Sequence, residues 1–184
     1  DRARAAKVGF DKTVDITTGP VIDARAWTRL KGLVDDAVSE GATLLAGGDR
    51  PAGLNAGHYL APTVLTDVTE TMAVYREETF GPIVSIVPFD TKTDLLRMAN
   101  DCEEGGLTAF IFTRNLARAE HYAARLRYGE IQINGVKYDI DLPHGGIGQS
   151  GIGHDCSALA LHDYLVQKRI TRALDTTTFG GLNP

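Results

Sequence analysis

Few cysteines, methionines and tryptophans occur in these 184 residues: two, two and one. Cys102 and Cys156 are too few to staple a small secreted fold, so a reducing, cytoplasmic setting is the simpler expectation. No apolar run approaches the ~20 residues that a membrane helix needs, and the opening DRARAAKVGF lacks the apolar stretch of a secretory signal. Charge of one sign is not concentrated anywhere. Acidic residues outnumber basic ones 24 to 19, and no Lys/Arg stripe with interleaved aromatics is present, which argues against nucleic acid as a partner. Internal repeats and low-complexity tracts are also missing. Asp1, not Met, opens the chain, which reads as a piece of a longer protein or the product of processing.

What is present is enough apolar content for a core, 43% of the chain, and an alternation of two periodicities. Residues 2–8 read as the end of a helix that stops at Gly9. Trp27, Leu30, Val34, Ala37 and Val38 recur at helical spacing, with Gly41 as a stop. ATLLAGG reads as a short strand. GLNAGHYLAPTVL reads as a loop entering a strand, with Pro62 at an edge or a bend. A short helix over 70–77 leads into EETFGP, and Ile83 to Phe89 reads as a buried strand. Thr91 with Asp94 predicts a cap for a helix whose inner face is Leu95, Met98, Ala99 and Cys102. GLTAFIFT is the next strand. Asn115 starts a helix with Leu116, Ala119, Ala123 and Leu126 inward, Gly129 ends it, and EIQIN follows as a strand. Continuous apolar strands between amphipathic helices predict an α/β fold with a mostly parallel sheet and helices on both faces. Ligands are then expected beyond the carboxyl ends of strands.

After Asn134 a long glycine-rich loop runs to Cys156; loops of that length are usually functional or disordered. Gly146 to Gly151 spells G-x-G-x-x-G. A pyrophosphate cradle needs a strand directly before the motif and a helix opening at its end; neither is predicted here, so tight turns account better for the glycines. His154, Cys156 and His162 match no common zinc spacing, and no metal site is expected. Cys102 falls on an inner helix face as a small hydrophobe. Neither cysteine has a neighbour that would activate it as a nucleophile. SALALHDY reads as a short helix. LVQKRITRAL alternates as a half-exposed strand, and DTTTFGGLNP is a loose or docked tail.

Glu77 and Glu78 pose the sharper question. An adjacent acidic pair is most often a solvated loop. Glu78, though, stands where a helix hands over to a strand, two residues before Phe80. A carboxylate can accept bonds from both hydroxyls of a ribose, and a phenyl ring can pack on a flat heterocycle.

EETFGPIVSIVPFD, then AND…GGLTAFIFT, GEIQIN and LPHGGIGQSGIG…LHDYLVQKRI, in that order, resemble the carboxyl-terminal part of the NAD(P)-dependent aldehyde dehydrogenases. Gly19-Pro20 and GHYLAPTVL at 57–65 also look like segments of that family. The resemblance implies that Glu78 holds the nicotinamide-side ribose and that Phe80 contacts the nicotinamide of NAD or NADP. It implies that Val136, Lys137, Tyr138, Asp139, Ile140 and His144 line the path of an aldehyde. Many members carry Phe where His144 stands. PHGG resembles members acting on amino-aldehydes or betaine aldehyde. Around Lys168 to Leu174 the chain is similar to the arm that joins a partner subunit, so residues 1–162 would belong to the catalytic domain and 163–184 to an oligomerisation strand and tail of a homodimer or homotetramer.

In such enzymes a cysteine attacks the aldehyde, the thiohemiacetal gives up hydride to the nicotinamide, a glutamate activates water, and an asparagine amide with a backbone N–H holds the oxyanion. The resemblance puts all of these, with the cofactor-binding part, upstream of residue 1. It assigns no catalytic residue to this chain, which would be inactive alone. The other functional class that the sequence allows is a catalytically silent, stand-alone domain that acts in binding or assembly.

Overall fold

A computed structural model describes residues 1–11, 15–91, 93–101 and 104–172. The elements run α1 (Arg2–Ala5), α2 (Ala24–Ser39), β1 (Thr43–Ala46), β2 (Thr63–Thr66), α3 (Ala73–Arg76), β3 (Ile83–Ser85), α4 (Leu95–Asn100), β4 (Thr108–Ile111), α5 (Leu116–Ala123) and β5 (Glu130–Ile133). Two 3₁₀ turns follow, Gly148–Ser150 and Ala158–Tyr164.

Helix α2 forms where its sequence provides both a start and a buried stripe. The Asp23 carboxylate accepts the Ala26 N–H at 2.8 Å, satisfying one of the orphan donors of the first turn. Leu30, Leu33, Val34 and Ala37 are buried, at the three- and four-residue spacing that lines one face. Gly41 has φ 109°, a left-handed turn that glycine enters at no steric cost, and the helix ends before it. Val34 and Ala37 pack with Ala42, Leu65, Val68, Met72 and Val74 into the main core. Thr63, also buried, is fully satisfied: its Oγ1 accepts the Gly48 N–H at 2.9 Å and donates to the Ala61 carbonyl at 2.8 Å.

The sheet differs from the expected one. β1 pairs antiparallel with β2, with an irregularity between Leu44 and Ala46, and β2 pairs parallel with β3. β4 and β5 form a separate parallel pair, from Thr108 opposite Glu130 to Ile111 opposite Ile133. There are thus two small sheets among the described residues, not one mostly parallel sheet. Nor are both faces covered by helices, since Val84, Ile86, Phe89, Phe110, Phe112 and Leu116 are exposed. The expected strand from Ile83 to Phe89 is short for a local reason. Ile86 N–H still reaches the Leu65 carbonyl, but its partner strand turns away at Asp67, whose φ is 59°.

Helix α4 links the two sheets. Arg97 forms a two-pronged pair with Glu70 at 2.8 Å per bond, and the Tyr75 hydroxyl donates to the Met98 carbonyl at 2.9 Å. On the other side, Asn100 donates to the Arg125 carbonyl and accepts the Arg127 N–H, while the Tyr128 hydroxyl reaches Ala99. The cap of α4 is Asp94, whose carboxylate accepts the Arg97 N–H at 3.0 Å, not Thr91. Of its expected inner face, Leu95 and Met98 are half-buried and Ala99 is exposed; Cys102 lies outside the described residues. Asn115 caps α5 as expected, and Ala119 is its buried residue, while Leu116 points outward. From Leu165 to Arg172 the chain has no regular structure. The expected strand over LVQKRITRAL is not formed there, and Ala173 and Leu174 lie outside the described residues.

Thr63→Val keeps the shape of a buried side chain and removes both of its hydrogen bonds. Leaving the Gly48 N–H without an acceptor costs about 1–3 kcal/mol. Urea unfolding is expected to show that loss as a lower midpoint with an unchanged slope.

Candidate functional site

EETFGP forms a turn between α3 and β3, at the amino end of a strand. The loop that carries Val136 to His144 leaves the carboxyl end of β5. Only the second lies where sheet topology alone would direct the search for a ligand site.

Helix α2 builds the EETFGP turn from outside. Arg29 extends its guanidinium across the turn and donates to the carbonyls of Glu78 and Thr79. Leu30 lies against Gly81 so closely that a β-carbon there would stand 2.5 Å from Leu30 Cδ1. The Glu104 carboxylate accepts the Glu78 N–H. With its backbone held at both N–H and carbonyl, Glu78 has a free side chain: among the described residues nothing is bonded to its carboxylate. Phe80 adopts φ 47°, a left-handed conformation uncommon for a bulky residue, and its side chain is 83% exposed. Arg29, Glu77, Glu78, Phe80, Glu104 and Gln149 surround a polar hollow of about 590 Å³. A free carboxylate and an exposed ring on one hollow can accept two hydroxyl donors and cover a flat ring.

The 136–144 loop does not line that hollow. The glycine-rich loop reaches it through Gln149, in the 3₁₀ turn. That turn sits close to the second sheet because glycines allow it. A β-carbon on Gly106 would lie 2.2 Å from the Ile147 carbonyl oxygen, and one on Gly129 would lie 1.8 Å from that of Gly145. Gly106 has φ 145° and accepts the Ile147 N–H at 3.0 Å. Gly106 and Gly129 therefore let the loop at Gly145 and Ile147 lie against the starts of β4 and β5, and the 146–151 run opens no α-helix, only the 3₁₀ turn Gly148–Ser150.

Within the 136–144 loop, Val136, Lys137, Tyr138 and Ile140 are exposed and Asp139 and His144 half-buried. Lys137 pairs with Asp139 at 2.7 Å, which holds the Asp139 carboxyl below the usual range. His144 exchanges backbone bonds with Asp155 at 2.9 and 2.8 Å. Its ring meets the Tyr138 ring edge-on, 5.7 Å between centroids. The Tyr138 hydroxyl lies 2.8 Å from Cys156 Sγ, and that contact pushes the phenol upward. His144 Nδ1 lies 3.1 Å from Glu130 Oε2. Burial pushes the Glu130 carboxyl up, but hydrogen bonds from Gln132, His144 and Thr108 together outweigh it and hold the group below its ordinary value. Among the described residues no cluster of three or more His, Cys, Asp or Glu side chains can hold a metal ion, and no helix is long and apolar enough to cross a membrane.

Arg29, Glu104 and Gln149 were not legible as site residues. Arg29 lies 49 residues before Glu78, on the flank of a helix read only for its apolar stripe. Glu130 offered only a weak signal, a charged residue opening a short strand that alternates polar and apolar side chains.

The profile of the Aldehyde dehydrogenase family matches residues 1–170. The chain belongs to the aldehyde dehydrogenase family. It is 34% identical over 163 residues to the chloroplastic betaine aldehyde dehydrogenase of Atriplex hortensis, covering 88% of this chain and 32% of that protein. It is 38% identical over 160 residues to the glutarate-semialdehyde dehydrogenase of Pseudomonas putida, covering 86% and 32%. Among solved structures, it is similar to an aldehyde dehydrogenase of Mycobacterium tuberculosis complexed with NAD⁺, with a TM-score of 0.80, 34% identity and coverage of 87% of this chain and 33% of that one. The betaine aldehyde dehydrogenase of Staphylococcus aureus in complex with NAD⁺ gives 0.82, 34%, 98% and 37%. The chain spans about a third of the length of the relatives it matches.

Glu130 also sets a pH expectation. A carboxyl lowered in the folded state contributes stability that is complete above its unfolded value and lost as pH falls through the folded one. Between neutral pH and the acid side of the ordinary glutamate range, Glu130→Gln is expected to shrink the acid-induced fall in melting temperature relative to the unmodified chain. Thermal scans across that interval check it.

Proposed function

We propose that this chain forms one wall of the cofactor site and one wall of the substrate site in an enzyme that oxidises an aldehyde to a carboxylic acid with NAD⁺ or NADP⁺. The observation that carries the reading is the unbonded Glu78 carboxylate beside the exposed Phe80 ring on one hollow. These residues fit a nicotinamide ribose. Glu78 accepts its two hydroxyls, Phe80 covers the ring, and Arg29 with Glu104 keeps the turn in register. When bound, the cofactor supplies the hydride acceptor. The loop residues Val136, Lys137, Tyr138, Asp139, Ile140 and His144 border the aldehyde and restrict its approach.

In this reading the nucleophilic cysteine that forms the thiohemiacetal, the glutamate base and the oxyanion asparagine belong to polypeptide outside these 184 residues, and so does the adenosine-binding part. Neither Cys156 nor any other described group stands beside the Glu78 hollow as a nucleophile. Residues 1–162 act as part of the catalytic domain. Residues 163–184 act as an arm for a homodimer or homotetramer; exposed Leu165, Val166 and Ile170 supply the apolar side chains that such an arm would bury. With two cysteines in the whole chain, a reducing cytoplasmic compartment suits the protein.

Residues 1–184 alone are therefore expected to turn over no aldehyde with either cofactor. In the full-length protein, Glu78→Gln is expected to lower kcat/KM for the cofactor by roughly tenfold or more, because a neutral amide accepts from ribose hydroxyls more weakly than a carboxylate. Steady-state kinetics with NAD⁺ and NADP⁺ decide it; unchanged constants with both would remove Glu78 from the site.

A further inference from the structure

One carboxylate reaches both ends of the 136–144 loop. Glu130 opens β5 and is half-buried. Its Oε2 lies 3.1 Å from His144 Nδ1 and 3.2 Å from the Thr108 hydroxyl, and its Oε1 accepts from Gln132 Nε2 at 2.6 Å. The same Gln132 amide then accepts the Lys137 N–H through its oxygen at 2.6 Å. Lys137 and His144 are thus tied to one side chain, directly at one end and through a single amide at the other. Between these two tethers the loop bows outward. Tyr138, Ile140 and Leu142 are 67%, 70% and 62% exposed.

The orientation of Gln132 is not free. Its Nε2 must face a carboxylate for its oxygen to face the Lys137 N–H. If Glu130 is truncated, that amide loses the partner that fixes it, and His144 Nδ1 and the Thr108 hydroxyl lose their shared acceptor. The charged neighbours are already engaged, Lys137 with Asp139. No other described carboxylate is bonded to these donors.

We infer that Glu130 is a positioning residue, which sets the shape of the 136–144 loop by holding Lys137 and His144 to the head of β5. It does not touch the reacting atoms. Its effect on an aldehyde rests on the proposed reading of that loop as a substrate wall, whereas its effect on the loop does not.

The experiment compares wild type, Glu130→Ala and Glu130→Gln in the full-length protein. Hydrogen–deuterium exchange over 135–144 reports the tether. Steady-state kinetics with a panel of aliphatic and aromatic aldehydes report its use. Glu130→Ala is expected to speed exchange in that segment roughly tenfold and to raise aldehyde KM several-fold, with the cofactor KM unchanged. Glu130→Gln is expected to restore most of both, because a glutamine side chain can still accept from Gln132 and bond the His144 ring. Gln132→Ala cuts only the Lys137 tether and replaces Glu130→Ala if that variant does not fold. Wild-type exchange rates in the truncated variants would overturn the anchor. Faster exchange with unmoved aldehyde KM would overturn its role toward substrate. A wild-type protein that oxidises no aldehyde would sink the enzymatic reading, and exchange alone would still decide the anchor.

Discussion

Leu30 and Gly81 are in a contact that a larger residue at position 81 would force the Leu30 side chain to give up. A methyl group there would stand 2.5 Å from one Leu30 methyl carbon and 2.7 Å from the other, well inside van der Waals separation. That contact fixes how close α2 comes to the EETFGP turn. Once the helix is there, Arg29 is one residue away from Leu30 and its fork of donors can span two successive carbonyls. The Leu30 side chain is fully buried, so the same residue that seats the turn also belongs to the packed interior. Position of the turn and stability of the helix are therefore not separable, and the free Glu78 carboxylate depends on both.

A second use of small residues appears under the glycine-rich loop. Gly106, Gly129, Gly145 and Gly146 let backbone lie on backbone where side chains would interpose. The loop is long, but it is not loose in this arrangement: Ile147 bonds to Gly106, and His144 and Asp155 bond to each other in both directions. Gln149 is delivered to the Glu78 hollow by that packing. The apolar faces of β3 and β4 tell the opposite story. They remain open in this chain, which agrees with a span of about a third of the relatives' length.

Local signals were legible in the sequence where a single element contained its own explanation. Leu30, Val34 and Ala37 of the α2 stripe, the stop at Gly41, the Asn115 cap and the β4 and β5 strands all follow from spacing and cap chemistry within about a dozen residues; Val38, expected in that stripe, is exposed, and Leu33 takes the buried place instead. The resemblance through EETFGP and GEIQIN led to the family. What was not legible depended on which chain segment lies next to which. Whether strands join one sheet or two is set by pairing, and β1 turned out antiparallel because it meets β2 across the loop of 47–62. Thr91 and Asp94 both carry cap-forming side chains, and the choice of Asp94 is made by where α4 starts. Arg29 and Glu130 looked like ordinary charged positions. Their importance arises from carbonyls 49 and 50 residues away in one case and from a histidine 14 residues away in the other.

The most direct test is a crystal structure of the full-length protein with NAD⁺ or NADP⁺ bound. The account predicts both Glu78 carboxylate oxygens, or one shared oxygen, within about 3 Å of the nicotinamide-ribose hydroxyls, with the Phe80 ring against the nicotinamide and Arg29 still on the carbonyls of residues 78 and 79. A ribose bound with no atom of Glu78 in hydrogen-bond reach, or a turn rebuilt so that Arg29 releases it, would contradict it.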